Sequence, residues 1–293
     1  MTVTGIAERA RYLKLAALAL SSGLRSGPFR SVFRGQGVEF DSVREYERGD
    51  DIRSIDWNVT ARIGKPYVKL YREERELTIL LVVDLSLSTA VSWQGNSVRS
   101  RIAETAALIS FAALHLNSPV GAVLFGGRCG RLWKPRNGQE QVLSLLGAIE
   151  RYDSRDRGTA LEGALAGAGA LLRRRSLICV ISDFRVAGYE QNLSLLARTH
   201  DVIAVRINSP LDYQLPAAGY LAFRDPETRY SLRCHTSNPS FRRAWEQEYH
   251  DSLKQWEQIC LRRGVHPVQM RTLDDPASVL QSFFARKTGG SRV

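Results

Sequence analysis

The run Ile79–Ala90, ILLVVDLSLSTA, constrains the fold more than any other part of this chain. Five aliphatic residues in succession, some β-branched, lack the polar alternation of a strand with one wet face. They predict a central parallel strand covered on both faces. The acid that ends the run then falls where the chain leaves the sheet. Asp84, Ser86 and Ser88 are therefore expected at the strand's carboxyl end, the edge at which open α/β sheets place ligands.

From Leu77 onward strand and helix patterns alternate with short connections. Strand-like runs fall at 77–84, 119–125, 177–183, 201–207 and 265–271, and helical periodicity near 97–116, 138–150, 159–174, 188–198, 240–263 and 276–286. The alternation predicts an α/β class fold, a doubly wound, mostly parallel sheet of Rossmann type. One segment departs from it. In GYLAFRDPETRYSLRCHT, residues 219–236, two alternating runs flank a turn sequence with proline and aspartate, which reads as a β-hairpin inserted over 218–236. Ahead of Leu77 the texture is an amphipathic helix followed by turns and short strands, with KPYVKLY alternating like a half-buried strand. The expected organisation is an N-terminal helix and β-containing embellishment over 1–76, then an α/β domain over 77–287, with KTGGSRV as a tail.

With 293 residues and 44% apolar content the chain can bury a large core. The apolar stretch LAALALSSGL, between Lys14 and Arg25, is well short of the ~20 residues that span a bilayer. Arg9, Arg11 and Lys14 before it imitate a signal peptide, but no clean small-x-small cleavage site follows, so a surface helix is expected. The cysteines at 129, 179, 234 and 260 form no C-x-x-C pair and fit a reducing cytoplasm. Five dispersed histidines give no support to a zinc site.

A net charge of +11 invites an anionic partner, nucleic acid or a membrane surface, and the first 34 residues carry six cations against one acid, Glu8. Yet only 6 of the 41 basic residues are lysine, a bias that genome base composition explains equally well. Arg173–Arg175 closes a predicted helix, where cations favour the carboxyl-terminal dipole. Charge by itself does not select nucleic acid.

Aspartate and serine offer only oxygen, which suits a hard divalent cation such as Mg²⁺. Two later residues are placed to join them: Thr159 in RGTALEGAL, where a glycine-threonine pair opens a helix, and Asp183 in CVISDF, where another buried strand ends on an acid. Asp84, Ser86, Ser88, Thr159 and Asp183 can then share one crevice. Each also has a local reading: a turn for the serines, a helix cap for Thr159 and Asp183.

VVDLSLS, GTALEGAL and ISDF resemble the three segments of a metal-ion-dependent adhesion site in a von Willebrand factor A domain. The stretch from Arg34 to Ser88, with GQGVEF and REYERGDDIRSIDW, together with the DPET hairpin, is similar to the signature of the bacterial domain-of-unknown-function 58 family. The resemblance covers residues 10 to 285. It implies a von Willebrand factor A-like fold. It also implies Mg²⁺, or Mn²⁺ or Ca²⁺, ligated by the hydroxyls of Ser86, Ser88 and Thr159, with Asp84 and Asp183 contributing directly or through water. A position is left for a partner's carboxylate. The partner implied is a MoxR-type AAA+ ATPase or its client, in chaperone-like assembly or metal insertion, without catalysis by this chain. Thr89 stands where the family usually has methionine.

A phosphohydrolase of the haloacid dehalogenase type is the alternative enzyme class, but its second aspartate is replaced here by Ser86. An Arg-rich binder of nucleic acid or membrane surface is a third. In REYERGDDIRSIDW the first reading of the mixed charge is a salt-bridged collar, and Asp50, Asp51, Arg53, Asp56 and Trp57 are the positions that would test a second, partner-binding face.

Overall fold

The computed structural model describes residues 3–26, 37–74, 77–153 and 156–286. The tail KTGGSRV and the opening Arg34, Gly35 and Gln36 of the glycine-rich motif lie outside the described residues. By contact the chain forms two units, residues 1–30 with 77–293, and residues 31–76. This differs from the expected segment 1–76, because helix α1 (Val3–Ser26) packs on elements of the larger unit.

In the smaller unit β1 (Gly37–Glu45) and β2 (Tyr67–Glu74) form an antiparallel pair, with a register shift between Phe40 and Ser42. Between them lies α2 (Trp57–Ile63), capped by Asp56 and closed by Gly64, whose left-handed φ of 79° suits a residue without Cβ.

The larger unit is built on a six-stranded sheet. β3 (Ile79–Asp84) runs at its centre, and Ser92–Trp93 (β4) and Asn96–Ser97 (β5) form a two-rung hairpin before α3 (Val98–His115). Next come β6 (Val120–Phe125), β7 (Cys129–Arg136), α4 (Gln139–Glu150), α5 (Leu161–Leu171) and β8 (Leu177–Ser182). The chain continues through α6 (Glu190–Thr199), β9 (Asp201–Asn208) and the single turn α7 (Pro210–Tyr213). It ends with the hairpin β10 (Tyr220–Arg224) and β11 (Ser231–His235), α8 (Pro239–Arg262), β12 (His266–Arg271) and α9 (Pro276–Arg286).

The strand order is β12-β9-β8-β3-β6-β7, parallel except for the edge pair β6–β7. Every residue of β3, β6 and β8 is buried, as their unbroken apolar runs predict. Leu80, Val82, Val123, Ile178 and Val180 share one core with Leu161 and Leu165 of α5, Leu193 of α6 and Trp256 of α8. Helices α1, α3, α4 and α9 pack among themselves and on the sheet elsewhere. The chain is thus a mixed α/β protein with a mostly parallel sheet between helices. The order reverses between β3 and β8, which makes their carboxyl ends the switch point of the sheet.

β7 was not expected. Its residues CGRLWKPR are mostly exposed and include Pro135, as suits an edge strand. Gly121 of β6 permits the close approach, since a Cβ there would stand 2.6 Å from the Trp133 carbonyl oxygen.

Ala17, Leu20 and Leu24 of α1 are buried, whereas Leu15 is 59% exposed. Leu20→Ala should therefore lower the unfolding free energy of the whole chain by about 3 kcal/mol in a urea titration, as for a core leucine. Leu15→Ala should change it by less than about 0.5 kcal/mol. A silent Leu20→Ala would mean that α1 is not part of the larger unit's core.

Candidate functional site

The site forms where β3 and β8 run out. Asp84, the last residue of β3, is wholly buried. Its Oδ1 accepts the Ser86 amide at 2.9 Å, and its Oδ2 accepts the Ser182 hydroxyl at 2.5 Å. The first bond folds LSLS into a tight turn, in which the Ser86 and Ser88 hydroxyls meet at 3.0 Å. Thr89, whose role was open, is buried and donates its hydroxyl to the Ser86 carbonyl at 2.8 Å. It closes the same turn from beneath.

Asp183 follows β8 directly and is 3% exposed. The next residue, Phe184, takes a left-handed φ of 52°, sparsely populated for a residue with Cβ. Two things hold it there. Its amide donates to Ser182 Oγ at 3.0 Å, and its ring packs on Tyr189 and Trp256 at 5.6 and 5.4 Å. Ser182 thus joins the two strand ends, donating to Asp84 and accepting from Phe184.

Thr159 arrives from the loop before α5. Ala160 donates its amide to the Gly126 carbonyl at 2.8 Å, and Gly127 lets residues 156–157 pass closely, since a Cβ there would meet the Arg157 oxygen at 2.4 Å. Helix α5 starts only at Leu161, with no side-chain cap, so Thr159 is not its N-cap. Its hydroxyl donates instead to Glu227 Oε1 of the β10–β11 turn at 3.0 Å. Nor does Asp183 cap a helix, for α6 begins at Glu190 and Asp183 Oδ1 accepts the Arg185 amide at 3.2 Å.

Ser88, Thr159 and Asp183 line one crevice of about 410 Å³ with Arg185, Asp212 and Glu227. Asp84 and Ser86 do not line it; they are wholly buried and joined to it by the Ser86–Ser88 hydroxyl contact. Among the described residues no group of three or more His, Cys, Asp or Glu side chains gathers to hold a metal. The donor set is two carboxylates and hydroxyls. Burial, then the neighbouring Asp183, pushes the Asp84 carboxyl up to about 7 from its usual 3.8, against the hydrogen bonds from Ser182 and Ser86. Two acids this deeply buried, with hydroxyl oxygens around them, fit a hard divalent cation.

Two arginines flank the acids. Arg99 donates to the Leu85 carbonyl, and burial holds its guanidinium below its usual value against the pull of Asp84. Arg185 pairs with Asp212 and lies 3.8 Å from Asp183. Its burial is outweighed by Asp212, Asp183 and Asp225, which hold it above its usual value.

Ser182, Arg99, Arg185 and Glu227 were not singled out in the sequence. Ser182 stood beside Asp183 in ISDF and Glu227 inside DPET, but their partners lie 98 and 68 positions away. In the smaller unit the candidate acids are engaged locally. Asp50 pairs with Arg44 at 2.6 Å, Asp51 accepts the Arg53 amide at 3.0 Å, and Asp56 caps α2 through the amides of Asn58 and Val59. Of the five candidates there, Asp51, Arg53 and Trp57 are exposed, Trp57 66% so.

Residues 42–255 match the family described as Protein of unknown function DUF58. The uncharacterized proteins Rv1480 of Mycobacterium tuberculosis and Mb1516 of Mycobacterium bovis are each 30% identical over 228 residues, covering 76% of this chain and 71% of theirs. Two solved structures are similar at lower identity. Conserved hypothetical protein BatB from Bacteroides thetaiotaomicron has a TM-score of 0.48 and 15% identity, over 73% of this chain and 100% of its own. An aerotolerance-related membrane protein from Bacteroides fragilis has 0.46 and 16%, over 73% and 98%. Among the described residues of the present chain no helix is long and apolar enough to cross a membrane.

The raised Asp84 value has a consequence for stability. Between its ordinary 3.8 and about 7, folded chains hold a proton that unfolded chains have released, so this group's contribution falls as pH rises and levels off above about 7. In EDTA the melting temperature of wild type should therefore drop relative to Asp84→Asn as pH is raised across that window. A difference independent of pH would show that Asp84 is ionised throughout.

Proposed function

The chain belongs to the DUF58 family, and from the crevice at the end of β3 we propose that it is a non-enzymatic interaction module of von Willebrand factor A type, capturing an acidic side chain of a protein partner through a divalent cation. The observation that supports this reading is the convergence at one switch point of Asp84, Ser86, Ser88, Thr159 and Asp183, from three separate segments. Asp84 and Asp183 would supply charge, and the hydroxyls of Ser86, Ser88 and Thr159 neutral oxygen. Mg²⁺ suits this set, as do Mn²⁺ or Ca²⁺. With few carboxylates on it, such an ion keeps an appetite for one more anionic oxygen.

The chain's own residues do the rest. Ser182 and the Ser86 amide fix the Asp84 carboxylate so that both its oxygens are spoken for within the protein and its direction is set. Asp183, just past the end of β8, lines the same crevice, and the chain turns away at Phe184 with a left-handed φ. The partner implied by the family resemblance, a MoxR-type AAA+ ATPase or its client, is part of this proposal.

Mn²⁺ binding followed by electron paramagnetic resonance tests the metal. Asp84→Ala and Ser86→Ala should each weaken it by about tenfold or more. A purified MoxR-type ATPase from the same cell should associate with wild type in Mg²⁺ and not in EDTA, and not with the Asp84→Ala/Ser86→Ala variant. Phosphatase turnover lost in Asp84→Ala would instead support the hydrolase class. Binding to nucleic acid or anionic vesicles that ignores EDTA and weakens steeply with salt would support the third.

A further inference from the structure

The turn between β10 and β11 is more than a connection. Asp225 organises it: its Oδ1 accepts the Glu227 amide at 2.9 Å, its Oδ2 accepts the Thr228 hydroxyl at 2.6 Å, and its carbonyl accepts the Arg229 amide at 2.9 Å. The strands behind the turn are equally fixed. Phe223 stacks on Trp245 of α8 at 5.8 Å, Trp245 donates to the Leu211 carbonyl at 3.0 Å, and Cys234 and Thr236 are buried. Such a tip is a rigid holder for whatever it carries into the crevice.

What it carries is Glu227, whose carboxylate accepts the Thr159 hydroxyl at 3.0 Å. Thr159 is one of the five proposed metal-site residues, and Glu227 shares the crevice with two others, Ser88 and Asp183. Nothing in the hairpin's own hydrogen bonding requires this contact. It places an acid of this chain at the mouth of a site whose proposed use is to receive an acid from outside.

We infer that Glu227 is a tethered competitor for the partner's carboxylate, closing the crevice until a partner displaces it. The inference rests on the metal-site reading above and names how that site is regulated. While Glu227 holds Thr159, that hydroxyl is turned to the hairpin and the approach over Ser88 carries a negative charge. An incoming acidic side chain must take both.

The test uses the full chain and a short peptide with one glutamate among neutral residues, beside its glutamine counterpart. Bound Mn²⁺ is read by electron paramagnetic resonance and peptide affinity by calorimetry in saturating Mg²⁺. Glu227→Gln should bind the glutamate peptide about tenfold tighter than wild type, while the glutamine peptide binds neither. Glu227→Asp, one methylene too short to reach Thr159 from the same backbone, should also bind it tighter, and thermal melts check that both fold. Equal or weaker peptide affinity in the two variants, with Mn²⁺ binding intact and still lost in Asp84→Ala, would overturn the tethered competitor and leave the metal site standing. Absence of Mn²⁺ binding in wild type and Glu227→Gln alike would overturn both.

Discussion

The crevice depends on one buried group, the Asp84 carboxyl, held wholly out of water by the Ser182 hydroxyl and the Ser86 amide. Dehydrating a carboxylate costs several kcal/mol. A hydrogen bond to a charged group returns only about 1.5–3 kcal/mol. The remainder is expressed in the carboxyl's reluctance to ionise, set first by burial and then by Asp183. Asp84 cannot escape by turning outward. It ends a strand whose every residue is buried, pairing with Phe125 of β6 itself and following residues paired on both sides by β6 and β8. The cohesion of the sheet thus keeps in place an acid that the site's local interactions alone do not satisfy.

Arginine is distributed accordingly. Arg99 and Arg185 flank the two acids, and neither donates to Asp84 itself, for Arg99 is engaged by the Leu85 carbonyl and Arg185 by Asp212. Farther away, Arg128 pairs with Asp156, Arg175 with Asp201, and Arg101 with Glu104 and the Thr272 carbonyl. Buried Arg206 reaches Ser252 and lies over the Trp256 ring at 5.6 Å. These side chains tie loops and helices to strand ends. The cationic excess that in the sequence invites an anionic partner includes, at these positions, guanidinium groups committed to the fold.

The central sheet was legible because strands buried on both faces read as near-continuous apolar runs, as Ile79–Val83, Val120–Phe125 and Leu177–Ile181 do. β7 was not, because an edge strand with solvent on one side, a proline and interrupted pairing leaves little periodicity to detect. The stripe of α1 could be seen, but its partners α3 and α9 lie far along the chain, so its domain membership could not. For the site, Asp84 and Asp183 declared themselves at the ends of buried strands, and Ser86 and Ser88 by their alternate spacing after Asp84. Thr159 remained ambiguous between cap and crevice until the close pass at Gly127 settled where its loop runs. The acids of REYERGDDIRSIDW were legible as structural or partner-binding but not in their individual roles, since an N-cap and a surface contact both call for aspartate at the same place.

A carboxylate tethered on a rigid hairpin has an effective concentration set by geometry rather than by supply, and for short connections this lies in the millimolar range. A partner that displaces Glu227 must therefore bring binding energy from elsewhere, and the surface around the crevice is where that contact would fall. The hairpin exposes Tyr220, stacked on His235 at 4.6 Å, and Tyr230 and Leu232 beside the turn. Aromatic side chains of this kind give contact area at little conformational cost. Selectivity in such an arrangement comes from two requirements met together. If Glu227 closes the crevice as inferred, an acid alone would fail against it and an apolar contact alone would leave it closed, so a partner would need both at the correct spacing.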